Sequence, residues 1–153
     1  MQDRRGRTLC ITNTTHACDR DLNALDGDTS FEETCYNGTV EEVQAYMSET
    51  ADALVLTDSK GRIVDVNTPW EYLCGYTSQN VKGKTSSILH GPLTGNGVSR
   101  DLHSFIVNGF AVRRSITNYK QSGMKFTNNV TILPLRRVQH NGPAFVAKLC
   151  EVV

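Results

Sequence analysis

Ser86 and His90 stand four residues apart inside the stretch Gly83 to Gly95, GKTSSILHGPLTG, a spacing that places a hydroxyl and an imidazole on one face of a helical turn. The pair suggests a nucleophile and its base. Neither an acid to orient the imidazole, nor a glycine-rich oxyanion loop, nor a nucleophile elbow accompanies them. The protein is therefore not expected to be an enzyme. The turn fits Ser86 to Leu89, and Gly91-Pro92 is expected to end it, because glycine reaches positive φ freely and proline supplies no amide for a further helical bond.

The remaining reactive groups are cysteines. Cys10, Cys18, Cys35, Cys74 and Cys150 are odd in number and lack CxxC spacing, which argues against a disulfide framework and against a zinc ribbon. His16 and Cys18, near Cys10 and Cys35, match no usual ligand spacing, so no metal is expected. Sixteen basic residues balance sixteen acidic ones, giving no general attraction to nucleic acid or to an anionic membrane. After Arg4, Arg5 and Arg7 only Leu9-Cys10-Ile11 is apolar, too short for a signal-peptide core, and no run reaches membrane-spanning length. An intracellular setting, cytoplasmic or nuclear, is expected.

The 153 residues are 39% hydrophobic and 21% charged, the make-up of one soluble domain. Residues 1 to 38 are polar and without sustained period, so they read as an irregular extension. Order is expected from Thr39, where Thr39-Val40-Glu41-Glu42 forms a capping box. Val40, Val43, Tyr46 and Met47 then recur at helical spacing, and residues 39 to 52 form an amphipathic N-terminal helix with its lead into the first strand.

Ala53 to Thr57 and Arg62 to Val66 read as a hairpin turned by Asp58 to Gly61. Asn67 caps a helix with Pro69 near its first position, Trp70, Leu73 and Cys74 as its stripe and Gly75 as its stop. Ser78 to Val81 makes one more turn. Val98, Leu102, Phe105 and Ile106 mark a longer helix, capped by Asn96 and closed by Asn108-Gly109. Three strands follow, Phe110 to Tyr119, Lys125 to Leu135, and Pro143 to Val153 after an Asn141-Gly142 turn. This order predicts an α+β domain over residues 53 to 153, with a five-stranded antiparallel sheet and short helices on one face.

Period-two alternation places Phe110, Val112, Ile116 and Asn118 together on the covered face of the third strand, and Phe126, Asn128, Val130 and Ile132 on that of the fourth. Phe145, Ala147 and Leu149 complete it. A buried amide without a partner costs about 1 to 3 kcal/mol, so Asn118 and Asn128 must bond to each other, to the helices, to water or to a ligand.

The motifs VLTDSKGRIVDVN, LCGYT at residues 73 to 77, VKGK at 81 to 84, LHGPLTG at 89 to 95 and NYKQSGMKFTNN at 118 to 129, in this order, resemble a PAS domain of the LOV-like branch. The resemblance implies a PAS fold and a pocket between helices and sheet. In that branch a flavin nucleotide occupies the pocket, and light joins it to a cysteine; Ser86 stands at the matching position here. Thr57, Asn118 and Asn128 match flavin-contacting positions, whereas Thr85 and His90 replace an Asn and a Gln, His103 aligns with a phosphate-pairing Arg, and Leu149 replaces the Gln of the last strand. A serine hydroxyl is a poor partner for thiol photochemistry. His90-Gly91-Pro92 also resembles PAS domains of ether-à-go-go potassium channels.

The resemblance thus implies a sensory PAS module acting by protein–protein contact, as a homodimer or with an effector, without cysteinyl–flavin photochemistry. Val40, Val43, Tyr46 and Met47 and the outer sheet face are its expected interface. Thr57, Ser86, His90, Asn118 and Asn128 would contact a ligand if one binds. No cofactor is expected in the leading reading. The alternative is a flavin-binding light or redox sensor without the cysteine, with Trp70, Tyr72 or Tyr119 as electron donor.

Overall fold

The structure, a computed structural model, describes Tyr36, residues 38–136 and residues 142–153. The expectations for residues 1 to 35, including the His16 and Cys18 cluster, and for Asn141 lie outside the described residues. Five strands, β1 (Ala53–Asp58), β2 (Ile63–Val66), β3 (Val112–Tyr119), β4 (Lys125–Pro134) and β5 (Pro143–Leu149), form one sheet in the order β2-β1-β5-β4-β3. Every pairing is antiparallel. The chain enters the sheet with β1, and β5 returns beside it as the middle strand, so both edges come from the hairpins.

Strand β1 is buried at five successive residues, Ala53 to Thr57, because both faces of the sheet are covered. On the inner face Ala53 and Val55 join Ile116, Val130, Ile132, Ala147 and Leu149 beneath Trp70 and Cys74 of α2 (Thr68–Cys74) and Val81 of α3 (Ser78–Val81). On the outer face Leu54, Leu56, Leu133, Leu135 and Val146 meet Val43, Tyr46 and Met47 of α1 (Val40–Glu49). Removing each such side chain from water stabilises the fold by about 1.5 to 3 kcal/mol. Tyr36, fully buried, belongs to this outer cluster: its amide donates to the Pro134 carbonyl at 3.0 Å, and its own carbonyl accepts from Arg136 at 3.0 Å. Order therefore begins before Thr39, through a parallel bridge between Tyr36 and Leu135 that polar composition alone conceals.

The capping box forms as its spacing predicts: Glu42 N–H donates to Thr39 Oγ1 at 3.2 Å and Thr39 N–H to Glu42 Oε2 at 3.1 Å. Asn67 does more than cap. Its Oδ1 accepts from the Trp70 amide at 3.1 Å and from the Leu54 amide at 2.9 Å, while its Nδ2 donates to the Met47 carbonyl at 3.0 Å and the Asp52 carbonyl at 2.8 Å. One buried side chain thus joins α1, the α1–β1 link, β1 and α2. Gly75 closes α2 in the left-handed region at φ 83°, as predicted.

Three local expectations are corrected. Gly91 is not at positive φ; a Cβ there would overlap the Tyr119 ring, whose hydroxyl accepts from the Leu93 amide at 3.1 Å. Close approach, rather than turn geometry, demands glycine. Helix α4 (Asn96–Val107) takes Gly95 as its N-cap with no side-chain cap bond, so Asn96 lies inside the helix and caps nothing. Phe110 is 60% exposed and precedes β3; it stacks edge-on to Phe105 at 6.5 Å instead of joining the inner face. Phe110 belongs to the segment between α4, which ends at Val107, and β3, which begins at Val112, so the strand alternation does not reach it.

Among the described residues no helix is long and apolar enough to cross a membrane. Asn67→Ala removes a cap and leaves buried backbone groups unpaired, and urea unfolding is expected to show a loss of about 3 to 5 kcal/mol. Asn67→Asp, which keeps the acceptors and loses the donors, should fall well short of restoring it. Gly91→Ala is expected to cost about 1 to 3 kcal/mol by overpacking, and combining it with Tyr119→Leu should cost less than the two singles added, because the two sites share the clash.

Candidate functional site

Between the inner sheet face and α4 lies a cavity of about 300 Å³. Its floor is aliphatic, with Val55, Ile116, Val130, Ile132, Ala147 and Leu149. Ser99, Leu102, His103 and Ile106 of α4 form the roof, and Lys60, Thr85, Ser86, Ser87 and His90 stand exposed around the mouth. The five residues expected from sequence as ligand contacts, Thr57, Ser86, His90, Asn118 and Asn128, all line this one space.

Each part of the wall is held by a local device. Asp58 Oδ1 accepts from the amides of Lys60 and Arg62, each at 2.9 Å, fixing the turn that carries Lys60 to the mouth. Burial works to raise the Asp58 pKa, but the Arg62 amide and guanidinium, with the Lys60 amide, outweigh it and hold the carboxyl below its ordinary value. The segment ahead of the 3₁₀ turn Ser86–Leu89 is anchored to β2, with Ile63 N–H donating to the Lys84 carbonyl at 2.7 Å and Gly83 N–H to the Ile63 carbonyl at 2.8 Å. Thr94 Oγ1 donates to the Thr117 carbonyl at 2.6 Å and ties the following loop to β3.

Asn118 and Asn128, 4% and 2% exposed, bond to one another rather than leaving their amides unpaired. Asn118 Nδ2 donates to the Leu89 carbonyl at 3.2 Å, Asn128 Nδ2 donates to Asn118 Oδ1 at 3.0 Å, and the Cys150 amide donates to Asn128 Oδ1 at 3.0 Å. The two ends fix both amide orientations, since a carbonyl can only accept and a backbone amide can only donate. The chain of bonds runs from the 3₁₀ turn across β3 and β4 to the residue after β5. Each Nδ2 retains a second N–H beyond these bonds.

Ser86 and His90 share the mouth without forming a catalytic pair. His90 has left the 3₁₀ turn for extended backbone, φ −82° and ψ 152°. Among the described residues no carboxylate bonds its ring, and partial burial, the sole cause, lowers its pKa from the ordinary imidazole value. The thiols are elsewhere. Cys74 is fully buried in the core, where burial pushes its pKa up to about 12 despite the opposing Lys120 charge. Cys150 is disulfide-bonded, which corrects the expectation at this one cysteine; sequence spacing does not report proximity in space. Neither lines the cavity, nor do Trp70, Tyr72 or Tyr119.

A flavin is matched in part. The spare amide N–H groups of Asn118 and Asn128 suit the carbonyl edge of a ring, but among the described residues no arginine lines the cavity. The charge-assisted bonds that would hold a phosphate, about 1.5 to 3 kcal/mol each, are not available. The lining does not fit flavin mononucleotide. Lys60 and Ser99 also line the site, and a turn lysine and a helix serine carry no pattern by which sequence could mark them. The interface residues expected on α1 lie against the chain's own sheet: Val43, Tyr46 and Met47 are buried there, and Val40 is half-buried at its edge.

Comparison with known proteins agrees with this architecture. The blue light receptor lreA of Aspergillus flavus is 29% identical over 92 residues, which are 53% of this chain and 11% of that receptor. The blue-light-activated histidine kinase of Brucella anthropi is 30% identical over 90 residues, 59% of this chain and 18% of the kinase. The chain thus spans less than a fifth of either relative. Among solved structures, the LOV domain of the Erythrobacter litoralis EL346 blue-light activated histidine kinase superposes with a TM-score of 0.60 at 25% identity, covering 65% of this chain and 94% of that one. The PAS domain of the fruit-fly ELK potassium channel gives 0.67 at 20% identity, covering 76% and 98%. A family model for the PAS domain matches residues 51–149, close to the extent that the motifs marked. The chain belongs to the PAS domain family.

Proposed function

We propose that this PAS domain is a sensory module that passes its state on by protein–protein contact and forms no cysteinyl–flavin adduct. One observation carries the second half: among the described residues no cysteine lines the cavity, and the mouth position that resembles the photoactive cysteine of LOV domains holds Ser86. A hydroxyl yields its proton far less readily than a thiol, so the nucleophile that adduct formation needs is missing. That no acid among the described residues shifts or bonds the His90 ring supports a binding module over an enzyme.

The contact surface in this reading is the outer side of the sheet. Helix α1 covers the β1 and β5 part of it and presents the half-buried Val40 at its edge. The β3 and β4 part carries Ser115 and Thr127 exposed, a polar surface of the kind that surrounds a transient interface. A homodimer or an effector would seat there against α1. Sedimentation of the full chain is expected to show self-association that Val40→Glu together with Ser115→Glu weakens at least about tenfold, at an unchanged melting midpoint. A monomer at all concentrations would remove the homodimer and leave the effector.

A second reading, a flavin sensor without the cysteine, draws support from the two spare amide N–H groups in the cavity. Purified protein is expected to be colourless and to stay so after excess flavin mononucleotide or riboflavin is added and the free ligand removed. Retained yellow colour would establish the second reading instead. In that case Ser86→Cys should add light-driven bleaching that reverses in the dark, and the unmodified chain should show none.

A further inference from the structure

The cavity has a charge pattern that neither catalysis nor flavin chemistry uses. Among the described residues that line it there is no Asp, Glu, Arg, Cys, Phe, Tyr or Trp. The titratable groups facing it are Lys60 from the β1–β2 turn, His90 after the 3₁₀ turn, and His103 from α4, each exposed at the mouth. Every charge that the wall can carry is therefore positive. The hydroxyls of Thr85, Ser86, Ser87 and Ser99 stand among these groups and can donate to an anion.

The interior is the opposite. Its floor is aliphatic apart from Thr57, Asn118 and Asn128, Leu102 and Ile106 face it from the roof, and the absence of any aromatic ring among the described lining residues removes the stacking surface that a planar aromatic ligand would use. A cavity of about 300 Å³ stands at the lower end of the range for small-molecule sites, a range that takes an eight-carbon carboxylate. Small-molecule sites combine a largely apolar lining with a few placed polar groups, and the division here runs from floor to mouth.

The roof gives an independent indication. Helix α4 turns Leu102 and Ile106 toward the sheet, yet not one of its residues is fully buried, because the cavity lies where the core would close. By contrast, α1 on the other face buries Val43 completely. Leu102 and Ile106 pack against the inner core only part-buried, and an aliphatic chain in the cavity would add to that contact.

We propose that the space between α4 and the inner sheet face is a binding site for a medium-chain aliphatic monocarboxylate, its chain on the aliphatic floor and its carboxylate among Lys60, His90 and His103. This assignment goes beyond the sensory reading and identifies the chemical class of its signal. Binding itself does not depend on which protein receives that signal.

The test uses the full chain at neutral pH, titrated separately with octanoate, octanol and octylamine, and followed by calorimetry and by amide hydrogen exchange. Octanoate should bind at least about tenfold more tightly than octylamine, and Lys60→Gln with His103→Gln should weaken octanoate about tenfold while leaving octanol unchanged. Both substituted residues are exposed, so the fold is expected to survive, and the melting midpoint without ligand verifies it. Bound octanoate should slow exchange in α4 more than in α1. Equal binding of octanoate and octylamine, or failure of octanoate to bind a folded chain, would overturn the assignment. Octanoate binding to a chain that contacts no protein partner would uphold it and count against the sensory relay alone.

Discussion

Four hydrogen bonds to the side chain of Asn67 decide how the halves of this molecule meet. An amide has two donor hydrogens and two acceptor lone pairs, and here all four go to backbone groups on different segments. The Met47 carbonyl belongs to the last turn of α1, whose final carbonyls have no partner within the helix. The Leu54 amide lies on β1 and the Trp70 amide in the first turn of α2. Asn67 therefore locks the outer-face helix, strand β1 and the first inner-face helix into one register. Asn67 is buried where β2 passes into α2, so the cost of losing one of its bonds is the cost of leaving a buried group unpaired.

Cavity geometry inherits this constraint. Strand β1 supplies Val55 and Thr57 to the floor, and the bulge after Leu56 in its pairing with β2 precedes the turn that brings Lys60 to the mouth. On the far side, the Asn118 and Asn128 amides set the depth of the pocket by holding the Leu89 carbonyl. Their order is directional, from the Cys150 amide to the Leu89 carbonyl, so neither amide can turn over without breaking bonds at both of its ends. The polar groups deepest in the cavity thus belong to one connected chain, and such chains specify a geometry most strongly when every member is paired.

The sequence made local structure legible wherever the cause was itself local. The capping box, the Asn67 and Pro69 start of α2 and its Gly75 stop are set by residues within a turn or two of where they act. The two asparagines on the apolar faces of β3 and β4 were also visible, because alternation placed polar groups where only apolar ones belong. The rest depends on partners distant in sequence. Nothing around Gly91 announces the Tyr119 ring, nothing around Asn67 announces the Met47 carbonyl, and nothing around Tyr36 announces Leu135. Phe110 fits the alternation of β3 as well as Val112 does, and only its place after the Asn108–Gly109 stop of α4 takes it out of the strand.

The two faces of the sheet are sealed unequally, and this inequality allows a rigid body to keep a cavity. On the outer face Leu54, Leu56 and Val146 are fully buried beneath α1, which precedes the segment that the PAS family model matches. Without α1 these residues would lie open as a contiguous apolar strip, so the helix is part of the domain's core rather than an appendage to it. With the outer face closed and Asn67 fixing the register, the sheet does not need the inner face to be filled. Helix α4 can then rest on β3 with none of its residues fully buried and still leave the fold intact. What seats α4 is the partial burial of Val98, Leu102, Phe105 and Ile106 against the inner core, together with the Arg114 guanidinium over the Phe105 ring at 5.3 Å.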